Sequence, residues 1–66
     1  GYTLIMASEM RYSEVKKMLE AKGYRLDHVT GSHHVFKKPG ARTFPIPVHN
    51  GKVGPAYVRV IKKLEP

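Results

Sequence analysis

The chain has 66 residues, no cysteine, and twelve lysines and arginines against five aspartates and glutamates, for a formal net charge of +7. This length allows one small domain with a single thin core, and the missing cysteines exclude disulfides, thiol nucleophiles and cysteine-based zinc sites. No apolar run approaches the ~20 residues of a membrane span, and no basic stretch followed by a long apolar segment marks a secretion signal, so we expect a cytoplasmic protein without a membrane partner.

The positive charge is concentrated in one part of the chain. Residues 28–64 contain all four histidines and seven lysines or arginines, but no aspartate or glutamate. Charge of one sign on a small basic domain is typical of proteins that bind a polyanion such as nucleic acid. The alternative is a basic surface that serves only solubility, although interspersed charges of both signs would do so equally well.

The first helix is predicted directly after an N-terminal segment that shows no clear pattern. We interpret residues 1–10 as an extension or as residues left from cloning, and residues 11–66 as a single domain. The helix is predicted over residues 11–22, with Ser13 as its N-cap and Gly23 as its stop signal. Its apolar residues recur at intervals of three and four, and they are Tyr12, Val15, Met18 and Leu19.

Two strands are predicted next, over residues 24–29 and 32–37, joined by a turn that contains Gly31. Consecutive side chains of a strand point to opposite faces of the sheet, so His34 falls on the apolar face with Phe36. The other face is expected to remain open to solvent. We call it the open face, and the second of these strands contributes to it His33, Val35 and Lys37.

A third strand over residues 42–48 contains Pro45 and Pro47, which cannot donate ladder hydrogen bonds and favour the edge of a sheet. After a loop over residues 49–54, Pro55 is expected in the first turn of a second helix. The apolar stripe of this helix is predicted to be Tyr57, Val60, Ile61 and Leu64. The sequence therefore predicts an α+β fold in the order α-β-β-β-α, with two helices on one face of a three-stranded antiparallel sheet.

The histidines do not form an evident metal site or hydrolase triad. His33 and His34 are adjacent, so on a strand they point to opposite faces and cannot hold one ion together. We therefore predict no metal and no cofactor. A serine hydrolase would need Ser32, His33 and an orienting acid; Asp27 is a conceivable acid, but it lies on a paired strand where nothing supports that geometry.

Two histidines are interpreted as packed structural residues: His34, and also His28 because it shares a face with Leu26. His33 instead lies on the open face, and histidine, with an ordinary pKa of about 6.5, suits proton transfer near neutral pH. Because RNA carries a 2′-hydroxyl beside each phosphate, a base, an acid and a cation suffice to cleave it without a metal. These residues indicate an RNA-binding protein and leave RNA cleavage open.

A short motif connects these features to a known family. Residues 31–36 read Gly-Ser-His-His-Val-Phe, after a helix that ends in Gly-Tyr and before a Pro-Val-His element at residues 47–49. In this combination, from about residue 14 to residue 64, the chain resembles the HicA toxins of HicA–HicB toxin–antitoxin systems, which are small bacterial mRNA interferases. The resemblance implies a fold like the double-stranded-RNA-binding domain, mRNA as substrate, catalysis by His33 and a HicB-type antitoxin that covers the active site.

The resemblance and the charge together assign roles to particular side chains. His33 is expected to be the general base or acid, with Ser32 and His49 as assisting residues and Lys37 as the first phosphate contact. The other cations expected to hold the RNA backbone are Lys38, Arg42 and Lys52. Two alternatives remain: a non-catalytic module that binds double-stranded RNA, and a protein-interaction domain whose basic face binds an acidic partner.

Overall fold

The computed structural model describes residues 9–64; most of the predicted extension, residues 1–8, lies outside the described residues. The elements in chain order are β1 (Met10–Arg11), α1 (Tyr12–Ala21), β2 (Arg25–Thr30), β3 (His33–Lys37), β4 (Phe44–Pro47), β5 (Lys52–Val53) and α2 (Pro55–Lys63). Strands β2, β3 and β4 form an antiparallel sheet with β3 at its centre, and β1 pairs with β5 in a second small sheet. The predicted α+β fold, similar to the double-stranded-RNA-binding domain, is confirmed.

Helix α1 begins one residue after its predicted start, and the prediction that Ser13 caps it is wrong. The N-cap is Arg11, whose side chain makes no capping hydrogen bond. Instead, the backbone N–H of Tyr12 donates to the carbonyl oxygen of Gly51 at 2.7 Å, because the pairing of β1 with β5 brings this carbonyl to the start of the helix. The backbone thus satisfies one of the free donors of the helix N-terminus.

Helix α1 ends at Ala21, one residue before its predicted end, and Gly23 follows the C-cap residue as the predicted stop signal. The N–H of Gly23 donates to the carbonyl oxygen of Glu20 at 3.0 Å, and the N–H of Tyr24 donates to that of Leu19 at 2.9 Å. This pair of hydrogen bonds is the Schellman pattern, which satisfies carbonyls that the helix itself cannot. Tyr24 and Leu19 are both buried, so the end of the helix is also anchored in the core.

The core lies between the two helices and one face of the main sheet. Phe36 of β3 and Ile46 of β4 are fully buried and form its floor. The other fully buried side chains are Val15 and Leu19 of α1, Val53 of β5, and Val58 and Ile61 of α2. Strand β4, which carries two prolines, lies at the edge of the sheet as predicted.

The buried face of α2 differs from the predicted stripe. Pro55 occupies the first turn and Ile61 is buried, as expected. However, Tyr57 and Val60 are 38% and 48% exposed, and Val58 faces the core in their place. Apolar residues at four of five consecutive positions span a wider arc than one core-facing stripe, so spacing alone could not define which of them would be buried.

Tyr12 and His34 pack against each other at the edge of the core, with ring centroids 4.4 Å apart. The Tyr12 hydroxyl and the Nδ1 atom of His34 are both buried without a hydrogen-bond partner within residues 9–64. His34 is therefore packed as predicted, with its Nδ1 atom unpartnered within the described residues. Burial, together with the negative charge of Glu20, raises the pKa of the Tyr12 phenol.

The Tyr12→Phe substitution is expected to leave stability at neutral pH unchanged or to raise it by up to about 1 kcal/mol, because it removes an unpartnered buried hydroxyl and keeps the ring. Because folding raises the pKa of Tyr12, the neutral phenol contributes to wild-type stability. This contribution is fully present below the ordinary phenol pKa of about 10 and is lost as the pH rises through the folded-state pKa. The variant should lack this alkaline decline. Urea unfolding at neutral and alkaline pH measures both effects, and a loss above about 1 kcal/mol at neutral pH would show that the hydroxyl has a partner.

Candidate active site

The open face is the face of the main sheet opposite the helices. Residues that pair directly across an antiparallel sheet share a face. The register therefore places on it Arg25, His28 and Thr30 of β2, His33, Val35 and Lys37 of β3, and Pro45 and Pro47 of β4. Imidazole and basic groups gather on β2 and β3, whereas β4 contributes prolines.

His33 lies at the start of β3, directly after the two-residue turn of Gly31 and Ser32. Gly31 has a φ of 58°, in the left-handed region that tight hairpin turns use and that glycine adopts without strain. His33 lies opposite Thr30 on one side and Pro47 on the other. Its side chain is exposed, and no hydrogen bond or ion pair engages its imidazole within residues 9–64, so no described protein group competes with a ligand for this ring.

His28 lies on the open face with His33, and the prediction that it shares a face with Leu26 is wrong. The cause is a β-bulge, since Leu26 pairs with Phe36 while His28 pairs with Val35. One inserted residue reverses the alternation of side chains beyond it. His28 therefore points away from the core, and its side chain is 52% exposed.

Asp27 contacts both His28 and Lys37. Its Oδ2 atom accepts a hydrogen bond from Nδ1 of His28 at 2.7 Å and lies 3.5 Å from Nζ of Lys37. The hydrogen bond from His28, and then the charge of Lys37, lower the pKa of the Asp27 carboxyl, which is therefore ionised at neutral pH. Asp27 thus contacts His28 rather than His33, the histidine that a serine-hydrolase triad would need.

Ser32 and His49, the two predicted assisting residues, lie at the same end of the sheet as His33. The carbonyl oxygen of Ser32 accepts a hydrogen bond from the N–H of Val48 at 2.8 Å, which holds the chain beside the turn just before His49. Backbone hydrogen bonds of 3.0 and 2.9 Å join His49 to Lys52, and its side chain is exposed. No side-chain hydrogen bond links His33, Ser32 and His49 to one another in the part of the chain that the structure describes.

The four cations predicted to bind RNA do not lie on one surface. Lys37 is on the open face, 3.5 Å from the Asp27 carboxylate. Lys38 is half-buried, with its Nζ atom 5.4 Å from the centre of a buried tyrosine ring, which is a cation–π distance. Arg42 is exposed between β3 and β4, and Lys52 belongs to the second small sheet. Lys37 is therefore the one of the four that the register places beside the histidines.

The segment after β4 forms a tight hairpin, where the sequence predicts a loop. Asn50 and Gly51 have φ values of 53° and 72°, and the residues on either side, His49 and Lys52, form an antiparallel bridge. An Asn-Gly pair with two positive φ angles is the strongest short hairpin signal, so this element could have been predicted. The hairpin directs β5 to β1 and so supplies the carbonyl at the start of α1.

The open face offers chemistry for an anionic substrate. It combines an exposed imidazole, a second imidazole hydrogen-bonded to a carboxylate, and a lysine ammonium, which are groups that can accept a proton, donate a proton and stabilise negative charge. Within residues 9–64, no group of three or more histidine, aspartate or glutamate side chains is arranged to hold a metal ion. In that same range, no helix is long and apolar enough to cross a membrane.

Comparison with known proteins identifies the family. A family model described as the HicA toxin of bacterial toxin–antitoxin systems matches residues 12–64, a region that contains both helices, the whole main sheet and the histidine turn. Comparisons with curated proteins and with solved structures gave no match. Since the matched region covers most of the sequence, the predicted resemblance is confirmed: the chain belongs to the HicA family of toxins of bacterial toxin–antitoxin systems.

Proposed function

We propose that this toxin is a metal-independent endoribonuclease that cleaves mRNA, with His33 as a proton-transfer group. The observation that carries the proposal is the position of His33, exposed on the open face at a tight turn, with no partner on its imidazole among the described residues. Family membership supports a toxin with an antitoxin partner. The acid-free basic stretch over residues 28–64 supports a polyanionic substrate.

RNA supplies the nucleophile for this reaction. His33 takes the proton of a 2′-hydroxyl, whose oxygen attacks the adjacent phosphorus while the bond to the 5′-oxygen breaks. The departing oxygen takes up a proton, so the products carry a 2′,3′-cyclic phosphate and a 5′-hydroxyl. Positive groups of the protein stabilise the extra negative charge on phosphorus in the transition state. Ser32, which precedes His33, is proposed to assist by hydrogen bonding, and His49 is proposed as a second assisting residue.

The antitoxin is proposed to be a HicB-type protein that covers the open face. Because charge complementarity steers association, we expect that partner to present an acidic or otherwise complementary surface to the basic stretch over residues 28–64. Both proteins would act in the cytoplasm, where mRNA is translated. The other proposed RNA contacts are Lys38, Arg42 and Lys52, which lie outside the open face.

Replacement of Lys37 by alanine is expected to reduce the salt dependence of RNA binding. Each phosphate contact to single-stranded nucleic acid contributes about 0.7 to the slope of log K against log salt concentration, so the slope should fall by about 0.7. The control is Lys17→Ala, which removes an exposed lysine from the outer side of α1 and should leave the slope unchanged. Anisotropy titrations with a labelled single-stranded RNA measure both. Equal changes in the two variants would show that only overall charge matters.

Cleavage of single-stranded mRNA by the purified protein in excess EDTA tests the proposed function. Fragments that accumulate with time and with protein concentration are the expected result. Salt-sensitive binding to duplex RNA without fragments would contradict cleavage and would favour the non-catalytic module. Tight binding to an acidic protein without measurable RNA affinity would favour the protein-interaction domain.

A further inference from the structure

His28 and His33 are close neighbours on the open face. The register pairs His28 with Val35 and Thr30 with His33, so the two histidines occupy diagonal positions on adjacent strands. Diagonal neighbours on one face of an antiparallel pair lie roughly 7–8 Å apart, a separation that aromatic and long side chains can bridge. Both side chains are exposed, so a single phosphodiester group can contact both imidazoles.

The β-bulge in β2 also brings Asp27 to the side of His28. In a regular strand, consecutive side chains point to opposite faces and could not meet in this way. Here the Asp27 Oδ2 atom and the His28 Nδ1 atom are 2.7 Å apart. An ionised carboxylate only accepts hydrogen bonds, so Nδ1 carries a proton and Nε2 is the nitrogen left for a substrate.

We propose that His28, oriented by Asp27, is the general acid of RNA cleavage and that it acts together with His33 as the general base. This inference rests on the proposed ribonuclease function and deepens it, because His33 alone leaves the departing 5′-oxygen without a protein donor. The negative charge of Asp27 is complementary to an imidazolium, which assigns the acid role to His28. His33, with no carboxylate contact within residues 9–64, takes the base role.

The proton transfers of this reaction balance. Neutral His33 accepts the proton of the 2′-hydroxyl as the 2′-oxygen forms its bond to phosphorus. The bond from phosphorus to the 5′-oxygen breaks, its electron pair stays on that oxygen, and the oxygen takes the proton from Nε2 of His28. His33 ends protonated and His28 neutral, and proton exchange with water returns both to their starting states. The nearby Lys37 ammonium stabilises the negative phosphate oxygens.

Few other titratable groups face His28. Its own strand adds Asp27 and Arg25, the neighbouring strand β3 adds His33 and Lys37, and β4 contributes prolines to this face. Arginine and lysine ordinarily titrate well above the neutral range, and the pKa of Asp27 is lowered. Among the side chains that the register places on this face, His28 and His33 are therefore the candidates for proton transfer near neutral pH.

The pH dependence of single-turnover cleavage in EDTA tests the assignment. The wild-type rate is expected to follow a bell-shaped profile. His28→Ala should lower the rate at neutral pH by about 10²–10⁴-fold and remove the decline on the alkaline side, which reports the acid. Asp27→Asn keeps a hydrogen-bond acceptor without the charge, and it should shift that alkaline limb with a smaller loss of rate. Since neither side chain is buried, the thermal unfolding temperature of both variants should remain that of the wild type.

A second substrate identifies which histidine donates the proton. An RNA with sulfur in place of the scissile 5′-oxygen has a leaving group that needs no acid, so His28→Ala should cleave it at close to the wild-type rate while His33→Ala remains slow. His28 is not the acid if His28→Ala cleaves ordinary RNA as fast as the wild type. The same conclusion holds if the sulfur substrate does not restore the cleavage rate of His28→Ala. In both cases the ribonuclease proposal still stands, provided that the wild type cleaves RNA. Failure of the wild type to cleave RNA would overturn both.

Discussion

Replacement of His33 by alanine is expected to lower kcat/KM for RNA cleavage by about 10²–10⁴-fold, the usual contribution of a proton-transfer group. The imidazole is exposed at the Gly31 turn, so its removal should leave the thermal unfolding temperature unchanged. Expression of the wild type without antitoxin should arrest bacterial growth, and expression of the variant should not.

Val29→Ala is the matched control for the loss of His33. Val29 lies on β2 near the same turn, is 50% exposed and pairs with His34, so it faces away from the open face. This variant should cleave RNA at the wild-type rate. Wild-type cleavage by His33→Ala would show that the catalytic assignment is wrong, and an equal loss in both variants would show that the shape of the turn matters rather than the imidazole.

Replacement of Phe36 by alanine is expected to unfold most of the protein at 25 °C. Phe36 lies in the central strand, is fully buried, and its ring centroid is 6.4 Å from that of Tyr12. Phenylalanine-to-alanine changes in cores cost about 3–5 kcal/mol, and the single core of so small a domain rarely supplies more than about 3–5 kcal/mol. Circular dichroism with urea unfolding measures the loss.

Val60→Ala is the control for the core substitution. Val60 is 48% exposed on α2, so its truncation should change the free energy of unfolding by no more than about 0.5 kcal/mol. If Phe36→Ala had the same urea midpoint as Val60→Ala, Phe36 would not be the centre of the core.

Elements that depend on local signals could be predicted from the sequence. The apolar stripe of α1 contains Val15 and Leu19, which are fully buried, and Gly23 follows the C-cap residue as the expected stop signal. The prolines Pro45 and Pro47 indicated an edge strand, and β4 is one. In each case, one residue type or one spacing carries the physical reason for the structure.

Features that depend on distant parts of the chain could not be predicted in this way. Ser13 is a good local cap, but the helix begins before it, at Tyr12, whose N–H donates to the Gly51 carbonyl that the pairing of β1 with β5 brings there. The buried side of α2 was ambiguous because Tyr57 and Val58 are both apolar, and only packing on the sheet selects Val58.

The same difference between local and long-range causes applies to the candidate site. Simple alternation places His33 correctly because β3 contains no bulge between His33 and Phe36. The same alternation assigns His28 to the wrong face of the sheet, because β2 contains a bulge. The bulge arises from the pairing of two strands and is not visible in the sequence pattern of either strand. The Asp27–His28 hydrogen bond depends on that bulge, so the sequence alone could not indicate it.

Cleavage of two matched RNA oligonucleotides in excess EDTA tests the use of the RNA 2′-hydroxyl most directly. One oligonucleotide carries ribose throughout, and the other has the same sequence with every 2′-hydroxyl methylated, which blocks the nucleophile and keeps the phosphates. We expect the purified protein to cut only the first, into fragments that end in a 2′,3′-cyclic phosphate. Cleavage of both at the same rate, or of neither, would contradict a metal-independent ribonuclease in which His33 activates the 2′-hydroxyl.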